Sequence, residues 1–466
     1  MDFQNFENEL FNQLISEDKN CLKTIESHTK LVNEYLNNNQ DPIFIKAFVN
    51  GFNNIVLDTK VKKYSLFESV LNHQLFGKVL NTFRQSDVLV RACRNVNRKA
   101  VEWLLTMKIN YNYQDEYGRN ALMYAAERAS LGFALEKIMK SNIDMNKVDR
   151  DGNNALFYAT NCPENLKKLL KSKINKYRTN NYGESLLLYC SRYDKIRSFE
   201  LLRKDKNFDP YICNCVGKTA AMYLVENARF KELKSYVKSN KIDPNYVNKF
   251  GQSLLSTFVE KYYQQYIGNI GEISFTSKLN YVNTKNYAYT LLALIDLKCN
   301  FNIPVDEHGN TPIMIFLMMK DYITTKYLLD HCVIDLSIKN KNGANASFLS
   351  LFIDESLFDS LDYNKRRNAN TISYKALKKA LQNNTTFDRG HVNLDENISI
   401  YPSVKYENPY LIDHNYAILV NQWIMEVFYP NAGGVITLGG NTYDKTNPSS
   451  FGSLMGKLNT GGLGTY

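Results

Sequence analysis

No stretch of this 466-residue chain approaches the roughly 18 consecutive apolar residues that a bilayer crossing needs. The longest apolar run near the middle is Ile313–Met319, so no membrane span is expected. The amino terminus, Met1-Asp2-Phe3-Gln4-Asn5-Phe6-Glu7, carries acidic residues where a secretory signal would carry positive charge ahead of a long apolar stretch. An intracellular protein is expected, cytoplasmic rather than nuclear. Cysteine is sparse: eight in 466 residues cannot build a disulfide framework, and they read as small core residues.

The usual signatures of chemistry are missing too. Cys213-x-Cys215 offers two ligands where a closed zinc site needs four, and no second pair has suitable spacing. The histidines, His28, His73, His308, His331, His391 and His414, fall into no His-x-x-x-His grouping, and no Gly-x-Ser-x-Gly elbow sits beside a usable pattern. Gly217-Lys218-Thr219 resembles the end of a phosphate-cradling loop, but Ile212 stands where that loop needs its first glycine. The sequence therefore predicts no cofactor, no metal and no catalytic residue.

What the chain does have is a core and a period. Hydrophobic residues make up 44% of it, enough to bury a sizeable interior. Net charge is +10, from 57 basic and 47 acidic residues, but the densest basic cluster is only Lys365-Arg366-Arg367. A glycine recurs in one local frame at Gly118, Gly152, Gly183, Gly217, Gly251, Gly309 and Gly343, in steps of 34, 31, 34, 34, 58 and 34 residues. The neighbours recur as well. One spacer after the glycine comes a block: Asn120–Ala125, Asn154–Ala159, Ser185–Cys190, Thr219–Leu224, Ser253–Phe258 and Thr311–Phe316.

Each block has the makings of a helix start. Its Ser, Thr or Asn can cap orphan backbone N–H groups, Pro312 sits where a missing N–H costs nothing, and the glycine supplies the tight bend before it. A second apolar cluster at helical spacing predicts a second helix, as in Val101–Leu105, Leu166–Leu170, Phe199–Leu202 and Tyr327–Leu329. An Asp-containing return follows, as in Ile143-Asp144, Phe208-Asp209-Pro210 or Ile242-Asp243-Pro244.

A bend, two helices and an extended return of about 33 residues resemble the ankyrin repeat, whose hallmark is Thr-Pro-Leu-His-x-Ala after such a glycine. The resemblance covers about residues 84–356. Thr311-Pro312-Ile313-Met314 comes nearest to the family block, and no repeat carries its His, which implies turns without that brace. A tetratricopeptide array has a similar period, but the glycine before each first helix and the Asp-rich returns favour ankyrin. The fold class expected is all-α: an ankyrin-type helix-turn-helix solenoid with a helical amino-terminal cap and a partly irregular carboxy-terminal region.

The expected domains are a helical cap over 1–83, repeats over 84–356, a helical or irregular extension over 357–430 and a flexible Gly/Asn-rich tail over 431–466. The first unit is an edge, because Arg84 stands where the frame would put glycine. The step of 58 places an insertion near 262–286, and insertions in solenoids collect on loops, often on the binding face. Further helices are expected over Thr371–Leu381 and Asn415–Phe428.

Two candidate binding surfaces follow. Tyr124, Tyr158, Tyr189 and Tyr223 share one slot in successive first helices, either as an aromatic strip that grips a partner or as inter-repeat packing. The turn tips, which include Tyr117, Arg150, Tyr182, Lys249, Phe250 and His308, vary in chemistry on a constant frame. The resemblance implies a non-catalytic scaffold or adaptor that binds another protein through the array. The alternative is a nucleic-acid or anionic-surface binder, supported by the partial basic row Arg119, Arg128, Arg150, Arg192 and Lys218.

Overall fold

A computed structural model describes residues 2–355 apart from 40, 62 and 268–277, and then 357, 374–382, 414–428, 435–438 and 441–444. The chain divides into two compact units, Met1–Asn214 and Cys215–Tyr466.

In the first unit, helices Phe3–Ile15, Pro42–Val56, Ser65–Leu71 and Gly77–Arg84, with shorter turns between them, enclose an aromatic core. Phe6, Phe48, Phe52, Phe67, Phe76 and Phe83 are all buried. Phe52 meets Phe67 and Phe83 edge-on, each at 5.7 Å between ring centroids. This bundle packs directly on the first helical pair of the array: Trp103 stacks on Tyr64 at 4.8 Å, and Asn97 donates to the Leu57 carbonyl at 3.2 Å.

The pairs that follow in this unit are Val88–Arg94 with Arg98–Leu104, Ala121–Glu127 with Gly132–Met139, Ala155–Ala159 with Pro163–Leu169, and Leu186–Arg192 with Ile196–Leu202. The caps act as the sequence predicts. Asn120 accepts from the Met123 amide at 3.0 Å, Asn154 from Leu156 at 3.0 Å and Ser185 from Leu188 at 3.3 Å. Such caps are typically worth about 1 kcal/mol each. The first helices are short and buried almost all round, as Ala121–Ala126 shows. They form the middle layer of the stack.

The second unit repeats the scheme with Ala220–Glu226 and Phe230–Asn240, then Leu254–Ile267 and Lys278–Asp296, then Pro312–Met318 and Tyr322–His331. Both helices after Gly251 are longer than their counterparts: the first runs 14 residues where most first helices have 7, and the second runs 19 where Gly132–Met139 has 8 and Phe230–Asn240 has 11. Residues 268–277 lie outside the described residues. The described residues on either side are thus helical, where the sequence suggested loops.

Helices Tyr374–Gln382 and His414–Phe428 match the two expected after residue 356. The latter packs on Tyr322–His331: Asn421 accepts from the Ile323 amide at 3.1 Å and donates to the Lys320 carbonyl at 2.9 Å, and Phe428 stacks on Tyr327 at 4.4 Å. The tail departs from expectation. Val435–Leu438 pairs antiparallel with Asn441–Asp444, a two-stranded exception among described residues that are otherwise mostly helical. The run Val435-Ile436-Thr437-Leu438 favours a strand, a signal hidden under the Gly-rich composition. The rest of 431–466 lies outside the described residues.

Candidate partner-binding surface

The seven frame glycines occupy equivalent bends, with φ between +76° and +85°. Only glycine adopts this region without penalty. At Gly118 a Cβ would also lie 3.0 Å from the Arg150 amide nitrogen, because successive turns touch. Arg150 N–H donates to the Tyr117 carbonyl at 3.1 Å and Asn181 N–H to the Asp151 carbonyl at 2.9 Å.

The turns are braced by residues other than the glycines. Three positions before every frame glycine stands Asp or Asn: Asp115, Asp149, Asn180, Asn214, Asn248, Asp306 and Asn340. Asp115 Oδ1 accepts from the amides of Tyr117 and Arg119 at 3.0 and 2.9 Å. Asp149 does so from Asp151 and Asn153 at 2.9 and 2.8 Å, and Asn180 from Tyr182 and Glu184 at 3.0 and 2.9 Å. In the second unit, Asn248 and Asn340 hold the corresponding pairs of amides. A short acceptor side chain that folds back on amides two and four residues on does the bracing that the absent His would have done.

A second ladder joins the returns. Asn112 accepts from the Asp144 amide and Asn146 from the Asn175 amide, each at 2.8 Å. Asn302 accepts likewise from Asp335 at 2.8 Å.

This framework sorts the predicted binding residues. Tyr117 and Tyr182 are 55% and 46% exposed at turn tips in the first unit, and Arg150 is exposed beside them. In the second unit Phe250 is 54% exposed, with the Lys249 ammonium 5.1 Å from its ring centre, and His308 is exposed next to Glu307. The tyrosine row is divided. Tyr124 and Tyr223 are buried, Tyr158 and Tyr189 half-buried. Tyr124 donates to Asp115 Oδ2 at 2.7 Å and Tyr158 to Asp149 Oδ2, so each of these hydroxyls ties a first helix to its own turn. Burial, reinforced by the neighbouring carboxylate, pushes the Tyr124 hydroxyl up to about 12 and moves Tyr158 further in the same direction. Burial likewise pushes Tyr189 up to about 12.

Three of the predicted residues converge. Tyr158, Tyr182 and Tyr189 line an open bowl of about 320 Å³, with Arg119, Asp151, Glu184, Arg192 and Tyr193 around them. Tyr189 packs edge-on against Phe157 at 5.2 Å and lies 4.5 Å from Tyr193. Glu184, fully buried, is paired with Arg192 and accepts from Asn180 Nδ2 at 3.0 Å. The Arg119 guanidinium lies over the Tyr158 ring at 4.7 Å and stands 5.8 and 6.0 Å from the Tyr124 and Tyr117 ring centres. Arg119 was visible in the sequence only as part of a basic row.

In the second unit a cleft of about 500 Å³ opens between the turn at Phe250-Gly251 and the stretch Pro304–Glu307. Most frame glycines abut the next turn, but a Cβ on Gly251 would meet nothing within 4 Å. The lengthened helices interrupt turn stacking here, and Phe250 forms one wall of the gap.

Among the described residues no group of three or more His, Cys, Asp or Glu is placed to hold a metal ion, and no helix is long and apolar enough to cross a membrane. Cys213 and Cys215 are free thiols.

Comparison with known proteins bears on the array. No curated protein matches the chain. A chain in the solved structure titled "Bd0816 Predatory Endopeptidase from Bdellovibrio bacteriovorus in complex with immunity protein Bd3460" is 24% identical, with 39% of this chain and 94% of that chain covered and a TM-score of 0.34. A family model of ankyrin repeats matches residues 89–180 as three copies. That stretch of the chain is a run of ankyrin repeats, built on glycine bends held by Asp and Asn.

Proposed function

We propose that the protein is a non-catalytic scaffold or adaptor that captures a partner protein on the turn face of its repeat array, with the tyrosine-lined bowl as the principal contact in the first unit. Ankyrin repeats generally mediate protein–protein interaction. The observation that carries the finer reading is the combination of a rigid frame with exposed aromatic tips. The turns of Tyr117 and Tyr182 are fixed by their Asp and Asn braces, yet both rings are about half exposed. Tyrosine held this way offers large contact area at little loss of side-chain freedom.

The basic row gives less support to a nucleic-acid surface. Arg192 is paired with Glu184, and Lys218 with Glu226. The experiment is an affinity measurement on the partner recovered with the full chain, repeated with Tyr117→Ala, Tyr182→Ala and Phe250→Ala. Loss of about tenfold or more with Tyr182→Ala is expected for a contact near the centre of an interface. Unchanged binding in all three variants would place the partner elsewhere. Raising salt from 50 to 200 mM should weaken binding only modestly; a loss of a thousandfold or more would instead indicate phosphate contacts.

A further inference from the structure

We propose that Arg119 is a seat for a carboxylate, and that the partner segment entering the bowl presents an Asp or Glu side chain to it. This rests on the bowl being the contact surface.

The first observation is an unsatisfied donor. Arg119 Nε is buried from solvent and has no hydrogen-bond acceptor. Buried donors are nearly always partnered in folded proteins, so one that is not calls for an explanation, and at the rim of an open bowl a bound acceptor is one that can be tested. The side chain as a whole makes no hydrogen bond or ion pair; its contacts are the faces of Tyr158, Tyr124 and Tyr117. A guanidinium stacked on a ring still carries its N–H fork along its edge, and a small rotation of the side chain would turn Nε, closed to solvent in the unbound bowl, towards a planar acceptor.

The second observation comes from the repeat itself. The residue directly after the frame glycine pairs with the residue eight positions on in two other repeats: Glu184 with Arg192 and Lys218 with Glu226. In the repeat of Arg119 that position is Glu127. The same bridge was available, yet it is not made: Glu127 accepts instead from Asn161 Nδ2 at 3.5 Å, and Arg119 lies over Tyr158.

The third observation concerns which anion fits. The carboxylates around the bowl are already engaged: Glu184 by Arg192 and Asn180, Asp149 by Tyr158 and two amides, and Asp151 by the Tyr182 hydroxyl at 3.3 Å. Of these, only Glu184 is answered by a cation, Arg192, while Asp149 and Asp151 bond to neutral donors; Arg119, the guanidinium there without a hydrogen-bonded acceptor, can take a single added carboxylate more readily than a doubly charged group. A carboxylate can take two parallel N–H bonds from the guanidinium. A phosphate dianion would leave a second charge facing Asp149 and Asp151, and is disfavoured.

The test uses the full chain and three small probes: N-acetyl-glutamate methylamide, its glutamine counterpart and methyl phosphate. The readouts are the Arg119 Nε–H resonance and the Tyr182 ring signals. The glutamate probe should shift both saturably at millimolar concentration and bind about tenfold more tightly than the glutamine probe or methyl phosphate. Arg119→Gln, followed through Tyr182, should abolish the preference for glutamate, and Glu127→Gln should preserve or strengthen it. The wild-type comparison stands even if a variant fails to fold. Equal binding of the glutamate and glutamine probes, tighter binding of methyl phosphate, or no shift at all would overturn the assignment. If the partner still contacts Tyr182 while the glutamate probe has no effect, the carboxylate seat fails and the scaffold reading stands.

Discussion

Replacing Asp149 by Ala removes one side chain that holds a turn at four points. Its Oδ1 accepts the Asp151 and Asn153 amides at 2.9 and 2.8 Å, and its Oδ2 accepts the Tyr158 hydroxyl and Asn153 Nδ2. Hydrogen bonds to a charged acceptor contribute about 1.5–3 kcal/mol each, and bonds that share one group do not add in full, so a cost of about 3 kcal/mol is expected. Asp149→Asn is the informative contrast. Asn180 fills the same slot one repeat on and makes the same two amide bonds, so Asn should keep the turn and lose only what Oδ2 accepted, the Tyr158 hydroxyl and the long Asn153 Nδ2 bond, at about 1 kcal/mol. The difference of about 2 kcal/mol corresponds to roughly 30-fold in local opening. Native-state hydrogen exchange at the Gly152 and Arg150 amides, which bond to the Asp149 and Tyr117 carbonyls, reads that opening directly. If both variants exchange alike, the side chain does not brace the turn and the account of the bends is wrong.

Gly118→Ala should destabilise the array by about 1–2 kcal/mol, since φ is +76° and the added methyl would press on the Arg150 backbone; urea denaturation followed by Trp103 fluorescence measures it. Ala228 lies at φ +51° between two helices, so Ala228→Gly should stabilise the second unit by up to about 1 kcal/mol, read as a higher urea midpoint. Because folding raises Tyr124 and Tyr189 to about 12 from an ordinary value of 10, their stabilising effect is complete below pH 10 and is lost as pH rises towards 12; absorbance at alkaline pH should show both hydroxyls ionising only as the fold is lost. Iodoacetamide at pH 8 should modify exposed Cys215 well before buried Cys93, whose thiol burial holds at about 12; mass spectrometry of a time course checks the order.

Much of the array was legible because a solenoid writes its geometry into the sequence as a period. The glycines at 118 to 343 marked bends that only glycine takes easily, and Asn120, Asn154 and Ser185 marked helix starts through their caps. The Asp/Asn brace three residues earlier was equally periodic, but a polar turn residue draws less notice than a glycine. The insertion was legible as a number, 58 against 34, and not as a shape, because a period says nothing about whether extra residues lengthen helices or loops. The bowl was only half legible. Tyr158 and Tyr189 announced themselves by their shared slot, whereas Arg192, Tyr193 and Glu184 reach it through the inter-repeat packing and carry no spacing signal. The split in the tyrosine row has the same origin: Tyr124 is buried while Tyr158 and Tyr189 edge the bowl, a difference set by neighbours in space.

The most direct test of the binding account is site-specific photocrosslinking. A photoreactive phenylalanine placed at Tyr182, on the turn face, should capture the partner, and the same group at Lys137, exposed on a second helix of the same unit, should not. Capture at both positions alike, or at Lys137 alone, would contradict the claim that the turn face is where the array meets its partner.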